Sequence, residues 1–282
     1  MVRKFWKCRD VVIDLSAPKI MGVVNVTPDS FSDGGKYYSS SQAIEHGFQL
    51  AEDGADILDI GGESTRPGAE EVSVRSELER VIPVIEALSA AGLVISVDTN
   101  KPEVMTAAAE AGAQIINDVY ALRRNGALEA AVKSGCGVCL MHMQGEPRTM
   151  QKNPVYADLV SEVKSFLVER AQVLTAQGVS DDKLVLDPGF GFGKTVSQNF
   201  EILAKTGGFL SLGYPLLYGM SRKSSLGVVT GVAHAEERVI SSVTAHLLAV
   251  ERGASIVRVH DVKQMKEALM IYNAMIRYKE LK

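Results

Sequence analysis

The chain alternates short apolar runs with longer amphipathic segments. The apolar runs carry Val, Ile and Leu without clean alternation, which is typical of parallel strands covered by helices. The segments between them are rich in Ala, Glu and Lys and favour helices. The predicted strands are Ile20–Val26, Ala55–Gly61, Val94–Val97, Ile115–Val119, Gly137–Met143, Leu184–Leu186, Pro215–Met220 and Ser255–Val259. The predicted helices lie near 40–53, 73–91, 102–111, 126–134, 157–177, 198–206, 235–252 and 263–278.

Eight successive strand–helix units predict an α/β fold, a single (β/α)8 TIM barrel. The length of 282 residues fits, because such barrels typically take about 250 residues. No linker or shift in composition divides the chain, so residues 1–282 are expected to form one domain. On pattern alone, an open doubly wound sheet remains the alternative. Residues 1–17 lie outside the repeat and are predicted to form an N-terminal arm or hairpin.

Charge and cysteine usage exclude several classes of function. A net charge of −4 gives no general attraction to nucleic acid or to anionic membranes. No apolar run reaches the roughly 18 residues that a membrane span needs, so we expect a soluble, cytoplasmic protein. Cys136 and Cys139 form a C-x-x-C pair, which in some proteins is a redox or metal site. Cys139 lies inside an apolar run, which favours a small hydrophobic residue in a strand.

Polar residues end nearly every predicted strand. The active sites of (β/α)8 barrels lie at the C-terminal rim of the strands, so these residues are expected to meet. A single aspartate could cap a helix, which is the interpretation favoured for Asp118, but capping does not explain the whole set. In order the strand ends are Asn25, Gly61–Glu63, Asp98, Asn117–Asp118, His142, Asp187, Ser221–Lys223 and Arg258–Asp261.

Two polar loops bounded by glycine and proline follow the first two strands. One loop closes the segment Met21–Gly35, and the other is Gly61–Gly68. Each could be a plain surface connection. Long, glycine-hinged polar loops at the active rim of a barrel more often act as lids, so lids are predicted here.

The segment Pro188–Thr195, read as PGFGFGKT, looks at first like a phosphate-binding loop. That motif needs glycine where Pro188 stands, and proline has no N–H to offer a phosphate. We therefore predict a flexible loop that leaves Asp187 exposed in the barrel mouth, with Phe190 or Phe192 as an apolar wall.

Basic residues end the seventh and eighth strands, where many barrels bind phosphate. Arg258 lies between two valines and needs an anion or a carboxylate as partner, whereas Arg222 fits a solvated turn. Asp98 and Asp187 add carboxylates to the same mouth, and a heterocycle with a guanidine-like edge would satisfy them. A sugar or a metal would compete. A metal alone is less favoured, because His260 and the next residue point apart on a strand.

Seven stretches carry a resemblance to a known family. In order they are MGVVNVTPDSFSDGG, GGESTRPG, SVDT, IND, LDPGFGFGK, GMSRKS and RVHDV. At these residues, from about Ile20 to the last helix, the chain resembles the dihydropteroate synthases, folate-pathway enzymes of the pterin-binding barrel family. The N-terminal arm carries little of the resemblance, and Tyr120–Ala121 is less typical of the family.

The resemblance implies a reaction. The family joins 6-hydroxymethyl-7,8-dihydropterin diphosphate to p-aminobenzoate, gives 7,8-dihydropteroate and pyrophosphate with Mg²⁺ assisting, and is inhibited by sulfonamides. It also suggests a homodimer. By position, the pterin would be held by Asp98, Asn117, Asp187 and Lys223, with Met141 and Phe192 lining its pocket and Arg258 over the ring. Asn25 would reach the metal, Thr65, Arg66, Arg258 and His260 would hold the diphosphate, and Phe31, Pro67 and Ser224 would border the p-aminobenzoate site. Asp98, Lys223, Arg258 and His260 would act in catalysis.

Three other functions share features of this sequence. A pterin-dependent methyltransferase domain has a similar barrel, but it needs no diphosphate clamp. A Schiff-base aldolase would use Lys223, whose position after Arg222 and among serines argues against the desolvation such a lysine needs. A non-catalytic pterin-binding protein would tolerate loss of the leaving-group residues, which are all present here.

Overall fold

A computed structural model describes residues 2–26, 36–64, 71–147 and 149–278. The chain starts with an antiparallel hairpin of β1 (Phe5–Cys8) and β2 (Val11–Asp14), which confirms the predicted N-terminal hairpin. Eight parallel strands follow, and each end lies within two residues of the predicted run. They are β3 (Lys19–Asn25), β4 (Ile57–Gly61), β5 (Ile95–Asp98), β6 (Ile115–Asp118), β7 (Gly137–Met141), β8 (Leu184–Asp187), β9 (Leu217–Tyr218) and β10 (Ile256–Val259).

The strands form a TIM barrel and not an open sheet. Their order is β8-β7-β6-β5-β4-β3-β10-β9, so neighbours in sequence are neighbours in the sheet. A parallel bridge between Leu186 and Leu216 brings the two ends of this order together. The predicted fold class is confirmed, and the carboxyl ends of all eight strands point to one rim.

Helices surround the strands. Side chains cap several of them, such as Ser73 before α2 and Thr195 before α6, which explains why they begin where they do. The helices are α1 (Lys36–Glu52), α2 (Val74–Ala90), α3 (Pro102–Glu110), α4 (Ala127–Ser134), α5 (Leu159–Ala176), α6 (Val196–Ala204), α7 (Thr206–Phe209), α8 (Ser224–Thr230), α9 (Val239–Glu251) and α10 (Val262–Ile276). Two short ones, α7 and α8, were not predicted. None of the helices in these ranges is long and apolar enough to cross a membrane.

The N-terminal hairpin covers the end of the barrel opposite to the rim. Trp6 is fully buried, and its indole Nε1–H donates a hydrogen bond of 2.8 Å to the carbonyl of Lys183, just before β8. Trp6 and Cys8 pack on the lowest inward-facing residues of the barrel, Met21, Ile57, Ile115, Cys139, Val185, Leu217 and Ile256. Cys139 is thus a small buried residue of β7, as predicted, and all three cysteines carry free thiols.

Candidate active site

Arg258 binds two carboxylates in the barrel mouth. Its Nε lies 2.5 Å from Oδ2 of Asp59 on β4, and its Nη2 lies 2.6 Å from Oδ2 of Asp98 on β5. Burial opposes the charge of the guanidinium, but the two carboxylates outweigh it and raise the pKa of Arg258. The prediction that Arg258 needs an anionic partner is confirmed, and the partners belong to the protein itself.

Asp59 is a residue that the sequence analysis missed. It is fully buried and accepts a second hydrogen bond, 3.0 Å long, from Nδ2 of Asn117 on β6. It therefore links two residues that were predicted to bind the ligand. The signal was present in the sequence, because an aspartate in the middle of an apolar strand is costly to bury without partners.

Burial changes the acidity of the remaining carboxylates. It raises the pKa of Asp98 to about 7, although Arg258 opposes the shift. Burial also raises the pKa of Asp187, while the backbone N–H of Gly189, at 2.7 Å, and the charge of Lys223 act in the opposite direction. A ligand that donates N–H groups to these oxygens would therefore stabilise their ionised forms.

Lys223 is shielded by the loop after β8. Its Nζ donates a hydrogen bond to the carbonyl of Phe190 and lies 4.1 Å from the centroid of the Phe192 ring. Burial lowers the pKa of Lys223 to about 7, against the opposing charge of Asp187. The expectation of a solvated lysine is therefore wrong, because a loop some thirty residues earlier in the chain covers it. Ser224 is exposed and begins α8.

The loop Pro188–Thr195 differs from its prediction in two ways. Asp187 is only 6% exposed, so it is not left open in the mouth. The loop is packed and extensively hydrogen-bonded, and its predicted flexibility is wrong. Phe190 is fully buried, with its ring edge-on to Phe200. Phe192 packs in the same apolar cluster as Met141, so it is the aromatic wall of the mouth.

The last two strand ends are tied together by polar side chains. Arg222 binds Asp261 through two hydrogen bonds, of 3.1 and 2.6 Å, so the expected solvated turn is wrong for this arginine. Nδ1 of His260 lies 3.0 Å from the hydroxyl of Ser221. Asp118 accepts the backbone N–H groups of Tyr120 and Leu122 and so holds the turn after β6. The helix cap favoured for it is wrong, because α4 begins only at Ala127 and has Gly126 as its N-cap.

Some predicted site residues lie outside the described part of the chain, namely Phe31, Thr65, Arg66 and Pro67. The base of the second polar loop is described. Lys101 is buried between Glu63 and Glu77, with Nζ 2.5 Å from each carboxylate. Glu63 also accepts the backbone N–H of Val72, at 2.9 Å. This ion cluster therefore joins the two chain segments that flank residues 65–70.

Asn25 ends β3 at the rim, opposite Gly61 of β4 in the sheet register, and is half-buried. Seven of the residues predicted to meet at the rim do lie around one mouth. They are Asp98, Asn117, Asp187, Met141, Phe192, Lys223 and Arg258. His142 does not take part, because its ring is buried behind the loop that follows β8.

Comparison with known proteins places this arrangement in a family. Residues 21–260 match the family described as pterin binding enzymes. The dihydropteroate synthase of Escherichia coli K12 is 50% identical over 271 residues, which cover 96% of each chain. A structure of Xanthomonas albilineans dihydropteroate synthase with 4-aminobenzoic acid has a TM-score of 0.90 and 51% identity, over 97% of this chain and 98% of that one. The Yersinia pestis enzyme in a sulfonamide complex has a TM-score of 0.92 and 47% identity, over 97% and 99%. The chain belongs to the family of pterin-binding enzymes and, within it, to the dihydropteroate synthases.

Proposed function

We propose that the mouth around Arg258 binds the pterin of the dihydropteroate synthase reaction. In that reaction 6-hydroxymethyl-7,8-dihydropterin diphosphate and p-aminobenzoate give 7,8-dihydropteroate and pyrophosphate. The observation that carries this assignment is the group of two aspartates, Asp98 and Asp187, beside Asn117 in one largely buried mouth. Their oxygens match a flat heterocycle whose amino-pyrimidine edge presents parallel N–H donors.

The neighbouring residues complete the pterin pocket. Lys223 would donate to an acceptor of the ring, and Phe192 and Met141 would cover the ring with apolar surface. Because Asp59 and Asp98 hold the guanidinium of Arg258, the arginine can lie against the ring without an unpaired charge. These four side chains thus add apolar surface and two cationic groups to the polar edge.

The chemistry needs a good leaving group more than a strong base. Arg258 and His260 would meet the charge that develops on the departing diphosphate, together with Thr65 and Arg66. The carboxylates of Asp98 and Asp187 would favour the positive charge left on the pterin CH2 and spread into its ring. The neutral arylamine is itself nucleophilic and can then attack, near Ser224, Phe31 and Pro67. Sulfonamides would occupy this same arylamine position.

The donor set of the rim fits Mg²⁺ that arrives with the diphosphate. Magnesium commonly takes one or two protein oxygens and completes its shell with substrate phosphates and water. The amide oxygen of Asn25 is a ligand of this kind, and no group of three His, Cys, Asp or Glu residues lies together in the described ranges. Bound there, the ion would neutralise charge on the leaving diphosphate.

The exposed helix residues bear on the oligomeric state, and the cysteines bear on the cellular compartment. Large apolar side chains are exposed on three helices, of which α9 contacts both α8 and α10, and this supports a homodimer formed through them. The residues are Val228, Val229, Ile240, Leu248, Met270, Ile271, Met275 and Ile276. Three free, buried thiols support a reducing compartment, in agreement with a cytoplasmic enzyme.

Asp187→Asn tests the pterin assignment. The amide would turn a donor toward an N–H of the ligand, so binding of the bare pterin should weaken by about 2–5 kcal/mol. Calorimetric titration with 6-hydroxymethyl-7,8-dihydropterin measures this. Asp10→Asn, exposed on the hairpin at the opposite end of the barrel, is the matched control. Unchanged affinity in Asp187→Asn would remove this residue from the pocket.

A further inference from the structure

The loop after β8 is held by side chains from several parts of the fold. Five successive carbonyl groups, those of residues 189–193, each accept a hydrogen bond from a side chain. Lys194 Nζ donates to Gly189 and Phe192 (2.9 and 3.1 Å), Lys223 to Phe190, Gln151 to Gly191 (2.7 Å) and Tyr156 to Gly193 (2.7 Å). The course of this loop is therefore fixed by side chains of the protein itself.

Of the side chains that donate these hydrogen bonds, Lys194 is the one that belongs to the loop itself. It is 2% exposed, and its third hydrogen bond, 2.9 Å long, goes to Nδ1 of His142. Burial lowers the pKa of Lys194 to about 7. In the ammonium form its three N–H donors are all used by these acceptors. Lys194 therefore has no donor left for a phosphate, which is a second reason, beside Pro188, why this is not a phosphate-binding loop.

His142 is suited to accept that hydrogen bond. It follows β7, is 5% exposed, and its ring packs edge-on to Phe166 with 5.0 Å between centroids. Burial and the charge of Lys194 lower the pKa of His142 to about 2, so the ring is neutral and the Nδ1 lone pair can accept. Neither His142 nor Lys194 is used by the proposed chemistry.

The loop that these residues hold forms one side of the pterin pocket. It carries Phe192, and its Phe190 carbonyl binds the ammonium of Lys223. The loop packs closely against His142 and against Lys223. Gly189 has a φ of +73°, and a Cβ there would lie 1.8 Å from the carbonyl oxygen of His142. A Cβ on Gly191 would lie 2.7 Å from the Lys223 side chain. A displaced loop would therefore displace both the aromatic wall and the lysine.

We propose that Lys194, oriented by His142, is a positioning residue for pterin binding. It acts by holding the carbonyls of Gly189 and Phe192, so that the Phe192 ring and the Lys223 ammonium stand where the ligand meets them. The inference rests on the proposed roles of Phe192 and Lys223 in the pocket.

Lys194→Met tests this role directly, because methionine keeps much of the side-chain volume but donates no hydrogen bond. The Kd of 6-hydroxymethyl-7,8-dihydropterin, measured by calorimetry, should rise by about tenfold or more, as small displacements of binding groups do. The fitted stoichiometry reports the folded fraction separately, so loss of folded protein alone would lower the stoichiometry and leave Kd unchanged. Lys205→Met, an exposed lysine at the other end of α6, is the control. A wild-type Kd in Lys194→Met overturns the proposal.

His142 provides a rescue experiment that does not depend on how well Lys194→Met folds. His142→Leu removes the third acceptor and should raise the pterin Kd. His142→Asn places an amide oxygen near the former Nδ1 position and should restore most of the affinity. If the leucine and asparagine variants bind the pterin equally, the hydrogen bond to Lys194 has no positioning role.

Phe192→Ala and Lys223→Met separate this proposal from the pocket assignment. If both leave the Kd unchanged, the assignment fails and the positioning role fails with it. If both raise the Kd while Lys194→Met does not, only the positioning role fails. If Lys194 acts through Phe192, the Kd of the Lys194→Met/Phe192→Ala double variant should rise by less than the product of the two single effects. Independent, fully multiplicative effects would count against this route.

Discussion

Asp59 acts on the site indirectly, because it accepts hydrogen bonds from Arg258 and Asn117. In Asp59→Asn the guanidinium loses one of its two charged partners, and a new amide donor faces other donors. Breaking a buried ion pair typically costs about 3–5 kcal/mol, and we expect the lower end because Arg258 keeps Asp98. Urea unfolding would measure the loss of stability, and the pterin Kd should rise in the same variant.

Ser96→Ala is the matched control for Asp59. Ser96 is the β5 neighbour of Asp59 in the sheet register, and its hydroxyl is buried with no hydrogen-bond partner among the described residues. Removing such a group should cost nothing or stabilise the fold slightly. If the two variants unfold at the same urea concentration, Asp59 does not hold Arg258 as the geometry indicates.

The pH dependence of pterin binding should report two groups. Protonated Asp98 carries an O–H in place of an acceptor, so affinity should fall as the pH drops through about 7. Lys223 loses its charge as the pH rises through about 7, so affinity should fall there as well. Titrations from about pH 5 to pH 9 should give a bell-shaped curve, whose limbs belong to the coupled set of groups. Asp98→Asn should weaken the acid limb and keep the alkaline one, and Asp187, whose pKa is also raised by burial, should account for the acid dependence that remains. A flat wild-type profile would contradict both assignments.

Residues at strand ends were predictable and those behind them were not. Asp98, Asn117 and Asp187 could be placed together because parallel strands of a barrel end at one rim. Asp59 was overlooked because it lies inside an apolar run, where only its cost of burial marks it. The burial of Lys223 depends on a loop distant in sequence, and local pattern carries no information about such a contact.

At the scale of elements, glycine content was misleading. The sequence of the loop after β8 suggested flexibility, yet Gly189 and Gly191 permit positive φ and close approach to neighbours. A mobile loop and a tightly packed one can need the same residues, so composition does not separate them. The helix α8 was missed for a different reason, because its seven residues are too few to show a helical period.

The N-terminal hairpin should contribute to stability and not to binding. Trp6→Phe removes the hydrogen bond to the Lys183 carbonyl and part of a fully buried ring, so unfolding free energy should fall by about 1–3 kcal/mol. The pterin Kd should not change, because the hairpin lies at the opposite end of the barrel. Circular dichroism in denaturant measures the first effect. Val12→Ala, on the same hairpin but 61% exposed, should stay within about 0.5 kcal/mol of wild type. A changed pterin Kd in Trp6→Phe would show that the two ends of the barrel are coupled.

At the scale of the whole molecule, the closed barrel could be predicted from eight repeated strand–helix units. The proposed homodimer depends instead on which apolar side chains lie on the surface. Apolar residues on the outside of a helix resemble core residues in sequence, so only the structure separates those on α8, α9 and α10 from the core. Ile240 and Ile271 are 83% and 74% exposed. Scattered exposed apolar residues are normal, but eight on three neighbouring helices form the surface through which we propose the homodimer.

Charged substitutions on these helices test the proposed homodimer. A symmetric interface places each residue twice, so Ile240→Asp or Ile271→Glu would bury two unpaired charges per dimer. A stable interface buries about 800 Å² on each partner, and such charges at its centre should dissociate it. Sedimentation velocity at micromolar concentration should show a dimer for wild type and the 30.4 kDa chain for either variant. Val155→Asp, 64% exposed on the segment before α5, should remain dimeric. A monomeric wild type, or variants that all sediment alike, would mean that this surface does not hold two copies together.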